Sequence, residues 1–379
     1  MKSRIYLIFL FSLVLGTSVI AQNNEECAQN LSIFAENAKV KNYAAAYGPW
    51  SSVRMECPDL NIAIYAYGER ILKDRLKKSQ ESEKIQFQND LLNLYDDWAK
   101  YFPTKKGRND IGNILSAKAQ SMIDFKIGSN TEIYTIFDDA FKTDSKSFSN
   151  PKRLYSYFKT FYEIYKSGNG KITTEELFEK YEEVSEKFEF EGVKISKNLD
   201  KIINKESLGE VLTTRDLKLR KVYDSYSNAI AVSLKSLDAI MGKESSCDNL
   251  IVLYGRNFNE NKDNIIWLKR ATARMYAKNC SESELFVQLV EAMYGIEPSA
   301  DSAYYLGSLN DKKGKDEQAV TYWEESLDLE TDPYKKAKIL YKIALKFKEK
   351  GRKLTARNYA RKALSFQPSL GKAYLMIAN

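Results

Sequence analysis

Apolar positions along the chain recur at helical spacing, in segments broken by short polar punctuation. Leu31, Phe34 and Ala38 form one face, Lys41-Asn42 a turn, and Tyr43, Ala46, Trp50 and Val53 face back. With Pro58 as a stop, this predicts a helical hairpin over Cys27–Pro58. A second pair is predicted over Asn61–Leu76, with Ile64, Tyr67-Gly68 and Ile71, and Ser82–Tyr101, with Leu91, Leu94, Tyr95 and Trp98. Weaker helices are expected over Arg108–Asp124 and Thr131–Phe141, joined at Gly128-Ser129-Asn130, followed by the break Asn150-Pro151. Lys152–Lys166 and the segment from Thr173 onward form a fourth pair. Thr173–Asn204 and Thr213–Met241 read as two long amphipathic helices around the break Ser207-Leu208-Gly209. The spacing of Leu217, Val222, Tyr226, Ile230, Leu234 and Leu237 suits a coiled-coil-like seam. They are expected as an extended antiparallel hairpin, packed within a stack or projecting toward a partner. Past the polar boundary Gly242–Asn249, hairpin spacing returns over Cys247–Cys280, with Trp267 and Leu268 on its second helix. Leu285–Tyr294 begins the helix that leads to Ala300.

From Ala300 a stride emerges. Leu306-Gly307, Gly314, Ala319, Trp323 and Ser326 return 37 residues later as Ile343-Ala344, Gly351, Ala356, Ala360 and Ala363. The pair then returns after 34 more as Ile377-Ala378. The extra three residues are assigned to a linker, Glu330–Lys336, with Asp332-Pro333 as its loop signal. Small residues at fixed places let helix backbones approach, while Trp323, Phe347 and Tyr359 fill the gaps between them. Pro368 stops the second hairpin. This pattern resembles the tetratricopeptide repeat (TPR), most specifically over Ala300–Asn379 and more loosely over Cys27–Ile71, where Tyr67-Gly68 carries it. The resemblance implies an all-α, TPR-type solenoid of helical hairpins with an irregular central section of long helices. It also implies a concave surface that grips an extended peptide or a helix of a partner protein.

Four sections are expected: a signal peptide over 1–21, TPR-like hairpins over 22–150, long helices over 151–245, and a C-terminal array over 246–379. The last repeat breaks off within its first helix, so a longer parent chain is expected, with room for a catalytic or envelope-binding domain beyond residue 379.

Cys27 and Cys57 are 30 residues apart, and Cys247 and Cys280 are 33 apart. In a hairpin of about 34 residues the start of the first helix lies beside the end of the second. The spacing therefore predicts disulfides Cys27–Cys57 and Cys247–Cys280, with four buried free thiols as the alternative. No CxxC pair suggests a metal. Lys2 and Arg4, the apolar run Ile5–Leu15 and the small-residue site Val19-Ile20-Ala21 form a secretory signal, cleaved after Ala21. Cys27 lies too far past that core for a lipid anchor. A periplasmic or otherwise exported protein is expected, with no stable membrane insertion and membership of an envelope complex as a possibility.

The formal charge of +7 reads as mildly basic and interspersed, so no nucleic acid partner is expected. The chain has no histidine, which excludes Ser-His-Asp and Cys-His triads and histidine-ligated zinc. Tyr165–Glu176 matches a calcium-binding EF-hand loop in part, through Ser167, Asn169, Gly170, Ile172 and Glu176. Tyr165 replaces the first aspartate and Lys166 and Lys171 crowd the loop, so a plain interhelical turn is expected. Glu175-Glu176, Glu182-Glu183 and Glu324-Glu325 read as solvated helix faces rather than paired catalytic acids. The aromatic stretch Tyr155–Tyr165 suggests burial between hairpins, or alternatively a glycan-binding groove. No enzyme activity and no cofactor are expected. A non-enzymatic scaffold or adaptor for a protein partner is the predicted function, with a glycan-binding subunit as the alternative.

Overall fold

A computed structural model of the chain describes residues 25–168 and 171–378. The signal segment 1–21 lies outside them, as do Asn169 and Gly170 of the loop with partial EF-hand spacing. Among the described residues the protein is all-α, with seventeen helices packed in successive pairs and almost no sheet. The order is α1 (25–39), α2 (Tyr43–Glu56), α3 (Ala63–Lys78), α4 (Glu81–Tyr101), β1 (Thr104–Lys105), β2 (Arg108–Asn109), α5 (Ile111–Phe125), α6 (Asn130–Asp144), α7 (Pro151–Ser167), α8 (Thr174–Ser207) and α9 (Thr214–Glu244). There follow α10 (Cys247–Asn261), α11 (Ile265–Ala277), α12 (Glu284–Ile296), α13 (Ala300–Lys312), α14 (Asp316–Leu329), α15 (Pro333–Glu349), α16 (Lys353–Phe366) and α17 (Gly371–Ala378). Close packing groups the residues up to Leu237 into one compact unit and Asp238–Asn379 into a second.

In the first unit, Phe34, Trp50, Val53, Ile64, Tyr65, Leu91, Leu94 and Tyr95 share one core. Its tightest approaches are made by glycines. A Cβ on Gly68 of α3 would lie 2.6 Å from the Trp50 indole nitrogen, and that nitrogen donates to the Ile64 carbonyl at 2.7 Å. A Cβ on Gly112 would lie 2.0 Å from the Asp144 carbonyl oxygen, so α5 and α6 cross with no room for a side chain. The helix expected from Arg108 opens instead at Ile111. Arg108 and Asn109 belong to a two-stranded hairpin, in which Lys105 pairs with Arg108 and Thr104 with Asn109.

The aromatic stretch of α7 is packed inward. Tyr157, Phe158 and Phe161 are buried, and Tyr157 lies 5.5–6.0 Å from Phe137, Phe141 and Phe148, centroid to centroid. Tyr155, Tyr162 and Tyr165 form a half-buried rim. The start of α8 is closed by a capping box, with the Glu176 carboxylate accepting from the Thr173 amide at 2.7 Å and hydroxyl at 3.0 Å. Glu176 therefore serves as a helix cap. The α8–α9 hairpin turns at Gly209 and is tied by Lys205 to Asp216 at 3.3 Å and Glu206 to Arg220 at 2.8 Å. The expected seam is corrected at its outer end: Ile230 and Leu237 are buried, but Leu217, Val222 and Tyr226 are exposed. Apolar spacing marks a face without saying whether anything covers it.

In the second unit the closest-packed pairs are α13 with α14 and α15 with α16. Gly314 and Gly351 follow α13 and α15 with φ of 70° and 72°, the left-handed conformation that ends a helix at least cost. Pro333 corrects the expected linker. It occupies the first turn of α15 behind the Asp332 cap, so Lys335 and Lys336 are helical. No helix among the described residues is long and apolar enough to cross a membrane.

Candidate functional site

The predicted packing residues fall into two neighbouring clusters of the second unit. Ala319, Trp323 and Ile343 are buried together, and Ala344, Ala356 and Ala360 are buried in the next cluster. Leu306 is also buried, while Pro368 lies exposed between α16 and α17. A Cβ on Gly307 would lie 2.3 Å from Cδ1 of Trp323, whose indole nitrogen donates to the Tyr304 carbonyl at 3.3 Å. In the first unit Gly68 touches Trp50 in the same manner, and Tyr67 is half-buried, edge-on to Phe34 at 6.5 Å. Cys27 and Cys57 have Cα atoms 6.4 Å apart and Cys247 and Cys280 5.4 Å apart, so both pairs fit disulfides.

Side chains of α11, α13 and α15 meet on one surface, and that surface carries the candidate site. Tyr276 of α11 lies 4.8 Å from Tyr305 and 6.2 Å from Tyr304 of α13. Phe286 of α12 backs Tyr305 at 5.9 Å. Lys342 of α15 sits over Tyr304 at 5.5 Å and over Trp323 at 4.9 Å, a geometry in which ring faces attract the ammonium. Burial, and for Tyr304 hydrogen bonding to Tyr276, push the Tyr304 and Tyr305 phenols above the usual range, so both remain protonated. A pocket of about 230 Å³ opens here, lined by Tyr276, Ser308, Asp311, Lys312 and Lys342 among others.

The surrounding charge corrects the expectation of an interspersed distribution. Residues 333–366 hold nine lysines and three arginines against Glu349 alone, so this hairpin carries +11 of a formal +7 and leaves the rest of the chain at −4. Three of its cations are ion-paired. Lys346 bonds Asp311, Asp316 and Glu349, Lys350 bonds Asp316 at 3.1 Å, and Lys335 bonds Asp301 at 3.4 Å. The other nine, Lys338 and Lys342 among them, have no carboxylate partner among the described residues. Sequence reasoning missed this group because the charge was averaged over the whole chain. The stride held the signal: adding 37 to Tyr304-Tyr305 gives Tyr341-Lys342.

A second polar cluster lies in the first unit between α6, α7 and α8. Asp138 accepts from the Tyr157 hydroxyl at 2.5 Å, Tyr134 at 3.1 Å, Lys180 at 3.1 Å and Lys142 at 2.6 Å. Burial alone would raise its carboxyl, but the Lys142, Tyr157 and Lys180 donors outweigh burial and hold it at about 2, against an ordinary 3.8. Both oxygens are engaged, so the group ties helices together. A carboxyl depressed in the folded state contributes stability above its unfolded pKa and loses it as pH falls through the folded one. About 2 kcal/mol of stability is therefore expected to disappear between pH 4 and pH 2 through this group. Urea unfolding at pH 4.5, 3.5 and 2.5 checks it, since Asp138→Asn should lack that component of the decline.

No protein-family model and no curated protein sequence matches the chain. Among solved structures it is similar to one described as the crystal structure of the APC/C hetero-tetramer Cut9-Hcn1, at 14% identity and a TM-score of 0.26. The match covers 91% of this chain and 54% of the other, so the chain spans about half the length of that neighbour. At that score the likeness carries no weight, and the fold rests on the packing above.

Proposed function

We propose that the protein is a non-catalytic, exported interaction scaffold of the bacterial envelope. It holds an extended acidic segment of a partner protein along the surface of α11, α13 and α15. The observation that supports this reading most is Lys342, half-buried over two aromatic rings and without a carboxylate partner among the described residues, within a hairpin that carries +11. A half-buried cation beside Tyr276, Tyr304 and Tyr305 suits a chain of alternating carboxylates and apolar groups, with the phenols as hydrogen-bond donors. Export rests on the signal segment before Ala21 and on the two cysteine pairs, which in an oxidising compartment would be disulfides.

The test is fluorescence anisotropy of the mature chain with a labelled acidic peptide of alternating glutamate and tyrosine. Binding should weaken at least tenfold in Lys338→Glu/Lys342→Glu and fall with added salt. Cross-linking to envelope extract should then yield a protein that the same variant fails to capture. Equal peptide binding by the variant, or tighter binding of a single-stranded oligonucleotide than of the peptide, would overturn the reading.

A further inference from the structure

Far along the chain from the lysine-rich hairpin, the first unit carries a second basic feature whose construction is different. The β1–β2 hairpin, the link after α6 and the middle of α8 enclose a cleft of about 980 Å³, lined by Lys105, Lys106, Arg108, Lys146 and Lys194, with Phe190 on one wall. Phe190 is 59% exposed, with the Lys187 ammonium over its ring at 5.2 Å.

The hairpin places Lys105 directly across from Arg108 in the strand register. Like charges at facing positions of a two-stranded ladder repel, and an isolated two-stranded hairpin is only marginally stable. The turn adds strain: Lys106 has φ of 51°, a left-handed conformation that costs a residue with a Cβ. None of Lys105, Lys106, Arg108 and Lys146 has a carboxylate partner among the described residues, and Lys194 alone reaches one, Glu191 at 3.3 Å. The two acids in the lining are already committed. Asp144 accepts from the Ser147 hydroxyl at 2.5 Å and amide at 3.3 Å and from the Gly112 amide at 3.4 Å, while Asp110 accepts from the Asn113 side chain at 3.2 Å. Five cations from three segments therefore converge on one opening against two lining carboxylates, which bond neutral donors and form no ion pair with these cations among the described residues.

We infer that this cleft is a binding site for a small multiply phosphorylated compound. A phosphate group carries between about one and a half and two negative charges near neutral pH, so two or three of them match four unpartnered cations within a small volume. Arg108 can bind one phosphate through two parallel N–H donors, and the lysines can act as point charges on the others. Phe190 gives an apolar or planar part of the compound a surface to rest on. This site is independent of the acidic-peptide surface and stands or falls without it.

Isothermal titration of the mature chain with inorganic tripolyphosphate tests it, in buffer matched for ionic strength with sodium chloride. Saturable heat with a stoichiometry near one is expected, weakened at least tenfold in Lys105→Glu/Arg108→Glu. That variant lies on an exposed hairpin and should keep the helical circular dichroism of the parent. Its melting temperature without ligand should stay close to the parent's, because one like-charge pair replaces another across the ladder. Lys338→Glu/Lys342→Glu should bind tripolyphosphate as the parent does, which separates this site from the peptide surface. Heat that vanishes under matched ionic strength, undiminished binding by the hairpin variant, or tighter binding of a sulfated disaccharide than of tripolyphosphate would each overturn the assignment.

Discussion

Gly307→Ala is expected to destabilise the second unit by about 2–3 kcal/mol, although alanine is the better helix former by about 1 kcal/mol. The added methyl would sit 2.3 Å from Cδ1 of Trp323, an indole that is fully buried and hydrogen-bonded to the Tyr304 carbonyl. Neither partner can retreat without moving a helix. Trp323→Ala alone should cost about 3–5 kcal/mol through the cavity it leaves. The double variant should cost little more than Trp323→Ala, because the new methyl then enters space the ring has vacated. The next hairpin already carries that combination: 37 residues on, Ala344 and Ala360 stand where Gly307 and Trp323 do, and both are buried. Urea unfolding of the four proteins, followed by circular dichroism, reads the coupling. Strictly additive costs would show that the glycine is small for some other reason.

Loss of the Cys27–Cys57 link should lower the stability of the first hairpin by about 3.5 kcal/mol, the chain-entropy value for a 30-residue loop. Cys27 is buried at the start of α1, and Cys57 caps the end of α2, its amide donating to the Val53 carbonyl at 2.9 Å. The bond would thus join the two open ends of a hairpin whose other end is already held by the Lys41-Asn42 turn. Among the described residues this hairpin packs on one side, through α2 against α3, and stacked repeats depend on neighbours for burial. Cys27→Ser/Cys57→Ser should expose α1 and α2 amides to hydrogen exchange well before the rest of the first unit. Alkylation of the unreduced native chain at four thiols would refute the pairing outright.

How much of this was legible from residues alone depends on how each feature is encoded. Some helix ends were legible because single residues set them: Gly314 and Gly351 take the left-handed conformation and Ser129 caps the helix it precedes, whereas Asp332, read as part of a linker, caps α15. That small residues recur at a constant stride, as Gly307 and Ala344, was legible, but the Trp323 ring lying against Gly307 was not, because Ala360 stands at the matching place of the next hairpin. The β1–β2 hairpin was not, since strands of two residues leave no alternation to detect and Lys105, Lys106 and Arg108 suit a helix start as well as a turn. The covering of the α9 seam was not legible either, because Leu217 and Leu237 look alike until a neighbour packs against one of them. Gly112 escaped notice for a similar reason: its crossing partner is the Asp144 carbonyl, a backbone atom that leaves no trace in residue type.

The uneven placement of charge has a practical consequence at the bench. A net +7 would send an evenly charged protein to a cation exchanger and past an anion exchanger. Here twelve basic residues between 333 and 366 hold the surplus, and the remaining sequence is at −4. The purified chain should be retained by resins of either sign at low conductivity, eluting from the sulfonate column at the higher salt. A variant lacking the positive hairpin's exposed lysines would switch its allegiance to the quaternary-amine column alone.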